Sequence, residues 1–161
     1  MTNEEQNIIE HNKELVARYP FLAPKTHDLH YYEQTGEDRY VMTDDYDYTW
    51  TWLDGLPTGW AKAFGVEMCE ELREELIRCD YLDQYVIQDT KEKYGELRIY
   101  DNGVPQGCNV HEIIDKYADI SYRTCCKCGK PATKISLGWI SPWCDECSQG
   151  MTMKFKDIMD S

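Results

Sequence analysis

The N-terminal segment carries apolar residues among polar ones at the spacing of a helix. They recur at Ile8, Ile9, Leu15 and Val16. Pro20 and Pro24 follow in YPFLAP, and proline cannot continue a helix because it lacks a backbone N–H and its ring clashes with the preceding turn. The pattern therefore predicts an amphipathic helix over residues 3–18.

The strongest helical pattern is VEMCEELREELIRC, which follows the turn-forming stretch DGLPTGW. Its apolar stripe consists of Val66, Cys69, Leu72, Leu76 and Cys79. Its other face is lined by five glutamates, Glu67, Glu70, Glu71, Glu74 and Glu75. This pattern predicts an amphipathic helix whose acidic face is either an ordinary solvated surface or a surface that docks a partner.

An aromatic alternation occupies YDYTWTWL. Its aromatic positions are Tyr46, Tyr48, Trp50 and Trp52. A period of two is that of a strand, so the segment predicts a strand with one aromatic face, and we expect that face to lie in the core. A platform for stacking nucleobases would need basic neighbours, but the neighbours here are aspartates.

Two further elements are predicted before the cysteine-rich segment. YVIQDT and ELRIYDNG, joined by KEKYG, predict a β-hairpin that closes near Gly95. Asn109 and Glu112 have the spacing of a helix cap, in which an N-cap side chain and an N3 carboxylate satisfy backbone N–H groups. An amphipathic helix is then predicted from its apolar positions Val110, Ile113, Ile114, Tyr117 and Ala118.

Four cysteines near the C-terminus form a C-x2-C-x15-C-x2-C pattern, Cys125, Cys128, Cys144 and Cys147. Two residues between thiolates allow both sulfurs to face one ion, and two such pairs complete the tetrahedron that zinc accepts. Four protein thiolates leave no position for water or substrate, so we predict one structural Zn²⁺. Cys126 could compete with Cys125, but its single-residue spacing from Cys128 gives poorer geometry.

The predicted fold class is α+β, with helices packed on a β-hairpin or small antiparallel sheet. We expect residues 1–123 to form an acidic α+β body and residues 124–161 to form a four-cysteine zinc module packed on it. Within the module, Gly129 allows a tight knuckle, KISLGWIS predicts a hairpin centred on Gly138, and a helix is predicted from Met151 to Met159. Knuckle, hairpin and helix in this order indicate a zinc ribbon or a treble-clef-like finger.

The charge of the chain restricts its partners. Its 17 basic and 30 acidic side chains give a formal charge of −13, which argues against direct binding to nucleic acid and favours a basic protein partner. The acidity lies in residues 1–123, which sum to −14, whereas residues 124–161 sum to +1. No apolar run is long enough to span a membrane, and the N-terminus lacks the basic-then-apolar pattern of a secretory signal, so we expect a cytoplasmic protein.

The remaining candidate groups do not build a catalytic motif. Cys69 and Cys79 lie on the apolar stripe and are predicted to be small buried hydrophobes, and Cys108 lies outside the cluster. His27 and His30 in THDLH could bind a second metal, but no thiol or carboxylate pattern nearby completes a site. Because no G-x-S-x-G, phosphate-binding glycine loop or H-E-x-x-H motif occurs, we expect a protein that is not an enzyme.

Several stretches resemble a family of small proteins carried by bacteriophages and prophages of Gram-positive bacteria. They are RYPFLAPK, GWAKAFGVEMCEEL, QDTKEKYGELRIYDNG and TCCKCGKPATKISLGWISPWCDEC, which together run from about Arg18 to Cys147. The chain departs from the family at Glu96, where relatives have a second glycine, and in APKTHDLH. The resemblance implies a phage-encoded accessory protein, similar in kind to anti-CRISPR inhibitors of the type II effector nuclease, and it supplies no catalytic residues.

Two functions follow from these observations as expectations. The first is a non-enzymatic inhibitor that binds a basic defence nuclease stoichiometrically through the glutamates of the 66–79 helix. The alternative is a zinc-finger adaptor or regulator in phage metabolism that contacts nucleic acid through the basic side chains of its C-terminal module. Those side chains are Lys127, Lys130, Lys134, Lys154 and Lys156.

Overall fold

Helices alternate with short antiparallel strands in this computed structural model, which describes residues 1–158. The helices are α1 (Asn3–Arg18), α2 (Leu29–Thr35), α3 (Thr58–Trp60), α4 (Val66–Arg78), α5 (Val110–Tyr122) and α6 (Asp145–Ser148). The strands are β1 (Lys25–His27), β2 (Tyr40–Met42), β3 (Ile87–Lys93), β4 (Glu96–Asp101), β5 (Lys134–Ser136), β6 (Pro142–Trp143) and β7 (Phe155–Asp157). Within the described residues they pair as β1–β2, β3–β4 and β6–β5–β7, all antiparallel. The predicted α+β class is confirmed.

The core lies where α5 packs on α4 and on β4. Leu72 and Leu76 of α4 are fully buried there, as are Trp60, Tyr85 and Tyr117. Burying one such leucine side chain contributes about 1.5–3 kcal/mol. The predicted stripe of α4 is thus largely correct, but Val66 is half exposed and Met68 is buried in its place.

The first helix has the predicted bounds and a capping box that the sequence analysis did not identify. The Thr2 hydroxyl accepts from Glu5 N–H, and the Glu5 carboxylate accepts from Thr2 N–H. Of the predicted apolar positions, Ile9 and Val16 are buried, whereas Ile8 is exposed. No helix in residues 1–158 combines the length and apolar character that crossing a bilayer requires.

The DGLPTGW stretch is more helical than its turn-forming residues suggest. After a 3₁₀ turn over Trp52–Gly55, helical structure begins at Thr58 and continues through a π-helical turn, Ala61–Gly65, into α4. Pro57 stands at the N-cap of α3, where a missing N–H is tolerated. The predicted start of α4 at residue 66 is confirmed, and helical turns that were not predicted precede it from residue 58.

The predicted aromatic strand is wrong. Residues 46–51 form no strand, because Tyr48 has φ 63° and the Asp47 carboxylate accepts from both the N–H and the hydroxyl of Thr49, which favours a turn. The aromatic rings meet edge to face instead, with centroids 5.0 Å apart for Trp50 and Trp52. Trp52 packs against the core, but Trp50 is 37% exposed.

The β3–β4 hairpin is confirmed, and it closes at Tyr94-Gly95. Both residues have positive φ, 53° and 84°, as a type I′ turn requires. The predicted α5 is also confirmed, but its predicted cap is wrong. The Asn109 side chain makes no capping hydrogen bond, and its backbone N–H donates to the Glu75 carboxylate at 2.5 Å.

The C-terminal module is a small three-stranded sheet that supports the cysteines. The predicted hairpin around Gly138 is confirmed as β5 and β6. The predicted helix from Met151 is wrong: α6 ends at Ser148, and β7 pairs with β5 to extend the sheet. Met159, the predicted end of that helix, lies outside the described residues.

The module is held against the body through two glycines. Gly59 N–H donates to the Cys126 carbonyl at 2.9 Å, and a Cβ on Gly59 would lie 2.2 Å from the Cys125 carbonyl oxygen. A Cβ on Gly129, which has φ 85°, would lie 2.7 Å from the Gly59 carbonyl oxygen. Next to them, the buried Trp60 indole N–H donates to the Thr124 carbonyl at 2.9 Å. A side chain at Gly59 or Gly129 would prevent the two backbone segments from approaching this closely.

We predict that Gly59→Ala destabilises the protein by about 1–3 kcal/mol, because the added methyl group overpacks the contact with Cys125. Urea unfolding measures the change. Gly65→Ala is the matched control, since Gly65 is also helical and the nearest atom to its Cβ would be on the flexible Leu53 side chain, at 3.3 Å. Equal stabilities for the two variants would contradict this role of the glycine contact.

Candidate metal centre

The structure brings the four predicted cysteines together. The sulfur atoms of Cys125, Cys128, Cys144 and Cys147 all lie within 4.8 Å of one another. Cys128 and Cys144, from different pairs, have sulfurs 3.6 Å apart. A tetrahedral metal with metal–sulfur bonds of about 2.3 Å requires sulfurs about 3.8 Å apart. The four sulfurs therefore lie close enough together to hold one metal ion.

Backbone N–H groups point at the sulfurs from both pairs. Lys130 N–H donates to Cys128 Sγ at 3.5 Å, in the knuckle that turns at Gly129. Cys144 is the N-cap of α6, and its Sγ accepts from Cys147 N–H at 3.3 Å. Such donors stabilise negative sulfur, which is the form that binds a metal.

Burial and hydrogen bonding shift the pKa of Cys125 in opposite directions. The residue is fully buried, which raises the pKa of its thiol. Hydrogen bonds from backbone N–H groups of Cys128, Cys144 and Lys127 outweigh that effect and lower the pKa to about 7. The site thus favours a thiolate at its most enclosed ligand.

Cys126 lies outside the cluster, as its spacing predicted. Its backbone N–H donates to the Pro142 carbonyl at 2.9 Å, which joins the first cysteine pair to β6. Burial raises the pKa of its thiol to about 12, so this sulfur stays protonated at neutral pH.

The glutamates of α4, predicted as a partner surface, are partly occupied within the chain. Glu70 accepts from Arg18 Nε at 2.9 Å and from the Tyr19 hydroxyl at 2.6 Å. Glu71 contacts Lys116 and Tyr117, and Glu75 pairs with Arg78. Among the described residues, Glu67 and Glu74 are exposed and form no ion pair. Only these two keep their charge free for a partner.

The histidine pair suggested by THDLH does not assemble a metal site among the described residues. His27 Nε2 lies 2.8 Å from the Asp38 carboxylate, and its ring faces Tyr32 and Tyr40. His30 is exposed on α2. His27 is therefore held by the Asp38 carboxylate and by aromatic rings of α2 and β2.

A second group of metal-binding side chains was missed by sequence reasoning. Glu75, Cys79 and Cys108 place one oxygen and two sulfurs within 4.8 Å of one another. Cys79 is half-buried rather than part of the core. The signal available in the sequence was the spacing of Glu75 and Cys79, which are one helical turn apart, whereas Cys108 is 29 residues further along the chain.

We predict that replacing Cys128 or Cys144 with serine abolishes tight metal binding and lowers the melting temperature, because three thiolates cannot close the tetrahedron. Elemental analysis after exhaustive dialysis and a thermal melt measure both effects. Cys126→Ser is the control and should retain the metal. Loss of metal in Cys126→Ser together with retention in Cys125→Ser would show that the ligand assignment is wrong.

The lowered pKa of Glu70 predicts that the stability of the protein falls in acid. Hydrogen bonds from Arg18 and Tyr19 lower its pKa from 4.5 to about 2 in the folded protein. A depressed folded pKa stabilises the protein above pH 4.5, and this stabilisation is lost as the pH falls towards about 2. We expect Glu70→Gln to be less stable than the unsubstituted protein at neutral pH.

The difference in stability between Glu70→Gln and the unsubstituted protein should shrink as the pH falls from 4.5 towards about 2. Urea midpoints across the window measure it, and Glu74→Gln, which removes an exposed carboxylate with no ion pair, is the matched control. A difference for Glu70→Gln that does not change with pH would contradict the assignment.

Comparison with known proteins yields no relative. No protein family, curated protein or solved structure matches this chain. The four-cysteine cluster and the charge of the body are therefore the features of this chain that bear most directly on its function.

Proposed function

We propose that this protein acts without turnover, as a zinc-containing binding protein whose acidic body engages a basic protein partner. The observation that carries the proposal is the separation of charge along the chain, with −14 on residues 1–123 and +1 on residues 124–161. A surface of this kind accelerates encounter with a positively charged partner and disfavours nucleic acid.

The metal in this proposal is one structural Zn²⁺ held by Cys125, Cys128, Cys144 and Cys147. Four thiolates are a common ligand set of structural zinc, and they fill its tetrahedral coordination. Zinc would supply no chemistry to a substrate here, because the four cysteines would leave no coordination position for water or substrate. Its effect would be to hold the first cysteine pair against Gly59 and Trp60 of the body.

The partner that we propose is the type II CRISPR effector nuclease of a bacterial host, with the protein acting in that host's cytoplasm. The support is the resemblance to phage-carried proteins and the positively charged nucleic-acid channel of such effectors. Stoichiometric inhibition would follow from occupation of a basic surface by carboxylates.

The docking surface is narrower than five glutamates of α4. Glu70, Glu71 and Glu75 already neutralise cations of this chain, so a partner's lysine or arginine would have to displace them. Glu67 and Glu74 are free of such competition among the described residues. We therefore propose that α4 contributes to partner binding through Glu67 and Glu74.

The second candidate is the adaptor that contacts nucleic acid through the C-terminal module. The observation that favours it is a cleft of about 200 Å³ between the β3–β4 and β5–β6 turns. Tyr94 and Trp139 line the cleft and are 67% and 78% exposed, and Lys93 and Glu92 also line it. Exposed aromatic rings with a basic neighbour are the elements of a base-stacking platform.

We predict that the protein binds the effector nuclease with an affinity that falls as salt rises, because screening weakens attraction between exposed charges. Glu67→Lys combined with Glu74→Lys should weaken binding further, through a slower association rate. Surface plasmon resonance at several salt concentrations measures both effects. Glu10→Lys with Glu14→Lys on α1 is the control, since it changes the net charge equally on another exposed helix.

A cleavage assay measures whether the protein acts stoichiometrically. Inhibition of DNA cleavage should require about one protein per effector. Successive inactivation of many effectors by one molecule would show an enzyme. Two results together would establish the adaptor instead. The protein would not bind the effector at low salt, and it would bind single-stranded nucleic acid in a way that Trp139→Ala abolishes.

A further inference from the structure

Three potential metal ligands meet at the C-terminal end of α4, away from the four-cysteine cluster. Cys79 is the C-cap of α4, Glu75 lies one turn earlier, and Cys108 lies just before α5. One oxygen of Glu75 and the two sulfurs are all within 4.8 Å of one another, and all three residues are half-buried. Helix α4 supplies two groups, and the segment before α5 brings the third.

The spacing of Cys79 Sγ and Glu75 Oε2 suits two ligands of one tetrahedral ion. Cys79 Sγ lies 3.6 Å from Glu75 Oε2. A metal bonded to sulfur at about 2.3 Å and to carboxylate oxygen at about 2.0 Å separates the two ligand atoms by about 3.5 Å. Positions i and i+4 of a helix place both side chains on one face, so α4 presents this edge of the tetrahedron ready-made.

The neighbours of Glu75 fix the orientation of its carboxylate. Arg78 Nε donates to Oε1 at 2.6 Å, while Arg78 Nη2 and Asn109 N–H donate to Oε2 at 2.7 and 2.5 Å. Arg78 is itself fixed by the Gly107 carbonyl, at 2.8 Å. If the donors to Oε2 shift to Oε1, one oxygen is released for a metal and the carboxylate stays oriented.

The charges of the cluster also balance with a divalent ion. Two thiolates and one carboxylate carry three negative charges, and Arg78 supplies one positive charge. A divalent cation makes the half-buried group neutral, whereas the thiolates without metal would repel one another and Glu75.

We propose that Glu75, Cys79 and Cys108 form a second, exchangeable site for a thiophilic divalent cation such as Zn²⁺ or Cd²⁺. The ligand atoms are Glu75 Oε2 and the two sulfurs, and the fourth coordination position is open to water or a small ligand. Binding converts two thiols to thiolates and releases two protons to solvent, so occupancy increases with pH. This site is independent of the proposed partner binding.

The test is a titration of the full-length, reduced protein with Cd²⁺ alone, followed by cadmium-113 NMR. We expect two equivalents to bind and to give two resonances, one from all-sulfur ligation and one shifted by mixed sulfur and oxygen ligation. Cys108→Ser should weaken the second equivalent by about 100-fold or more, beyond the usual effect of losing an outer-shell partner. Glu75→Gln should remove the mixed resonance.

The controls separate this site from the four-cysteine cluster. Cys126→Ser and Glu74→Gln should retain both resonances, and the all-sulfur resonance in each variant shows that its module is intact. A single cadmium equivalent in the unsubstituted protein would overturn the proposal. So would a mixed resonance that persists in Cys108→Ser.

Discussion

The approach of the Cys125–Cys128 knuckle to the backbone of Gly59 determines how the cysteine cluster and the core are related. At this contact the carbonyl of a cysteine lies where any other residue at 59 would carry its side chain. The adjacent Trp60 is fully buried and takes its hydrogen-bond acceptor from Thr124, the residue before the first ligand. The loop that carries Cys125 thus packs directly against the core, and the two halves of the chain form one packed unit.

The features that sequence could predict are those set by short-range spacing. The cysteine pairs, the Tyr94-Gly95 hairpin and the helices α1, α4 and α5 each depend on residues a few positions apart. The aromatic strand failed because Asp47 and Thr49 bond locally, which a period of two does not reveal. The Met151 helix failed because β7 gains its hydrogen bonds from β5, about 20 residues earlier in the chain.

The acidic face of α4 illustrates a different limit. A helical projection gives five glutamates on one face, but not which cations reach them. Arg18 approaches Glu70 from α1 and Lys116 approaches Glu71 from α5, both from positions more than 40 residues away in sequence. These pairs join three helices, so part of the apparent surface charge serves the fold. A charge count alone therefore overestimates the surface that a partner can meet.

The hydrogen bond from the Trp60 indole to the Thr124 carbonyl has a consequence for the rate of folding. It spans 64 residues, and contacts of such separation form slowly because a long loop must be closed before they contribute any stability. A metal ion bound by both cysteine pairs would shorten that search, because it would fix the knuckle before the knuckle meets Gly59. The rate at which the body reaches its native packing would then depend on the supply of metal as well as on its own apolar residues.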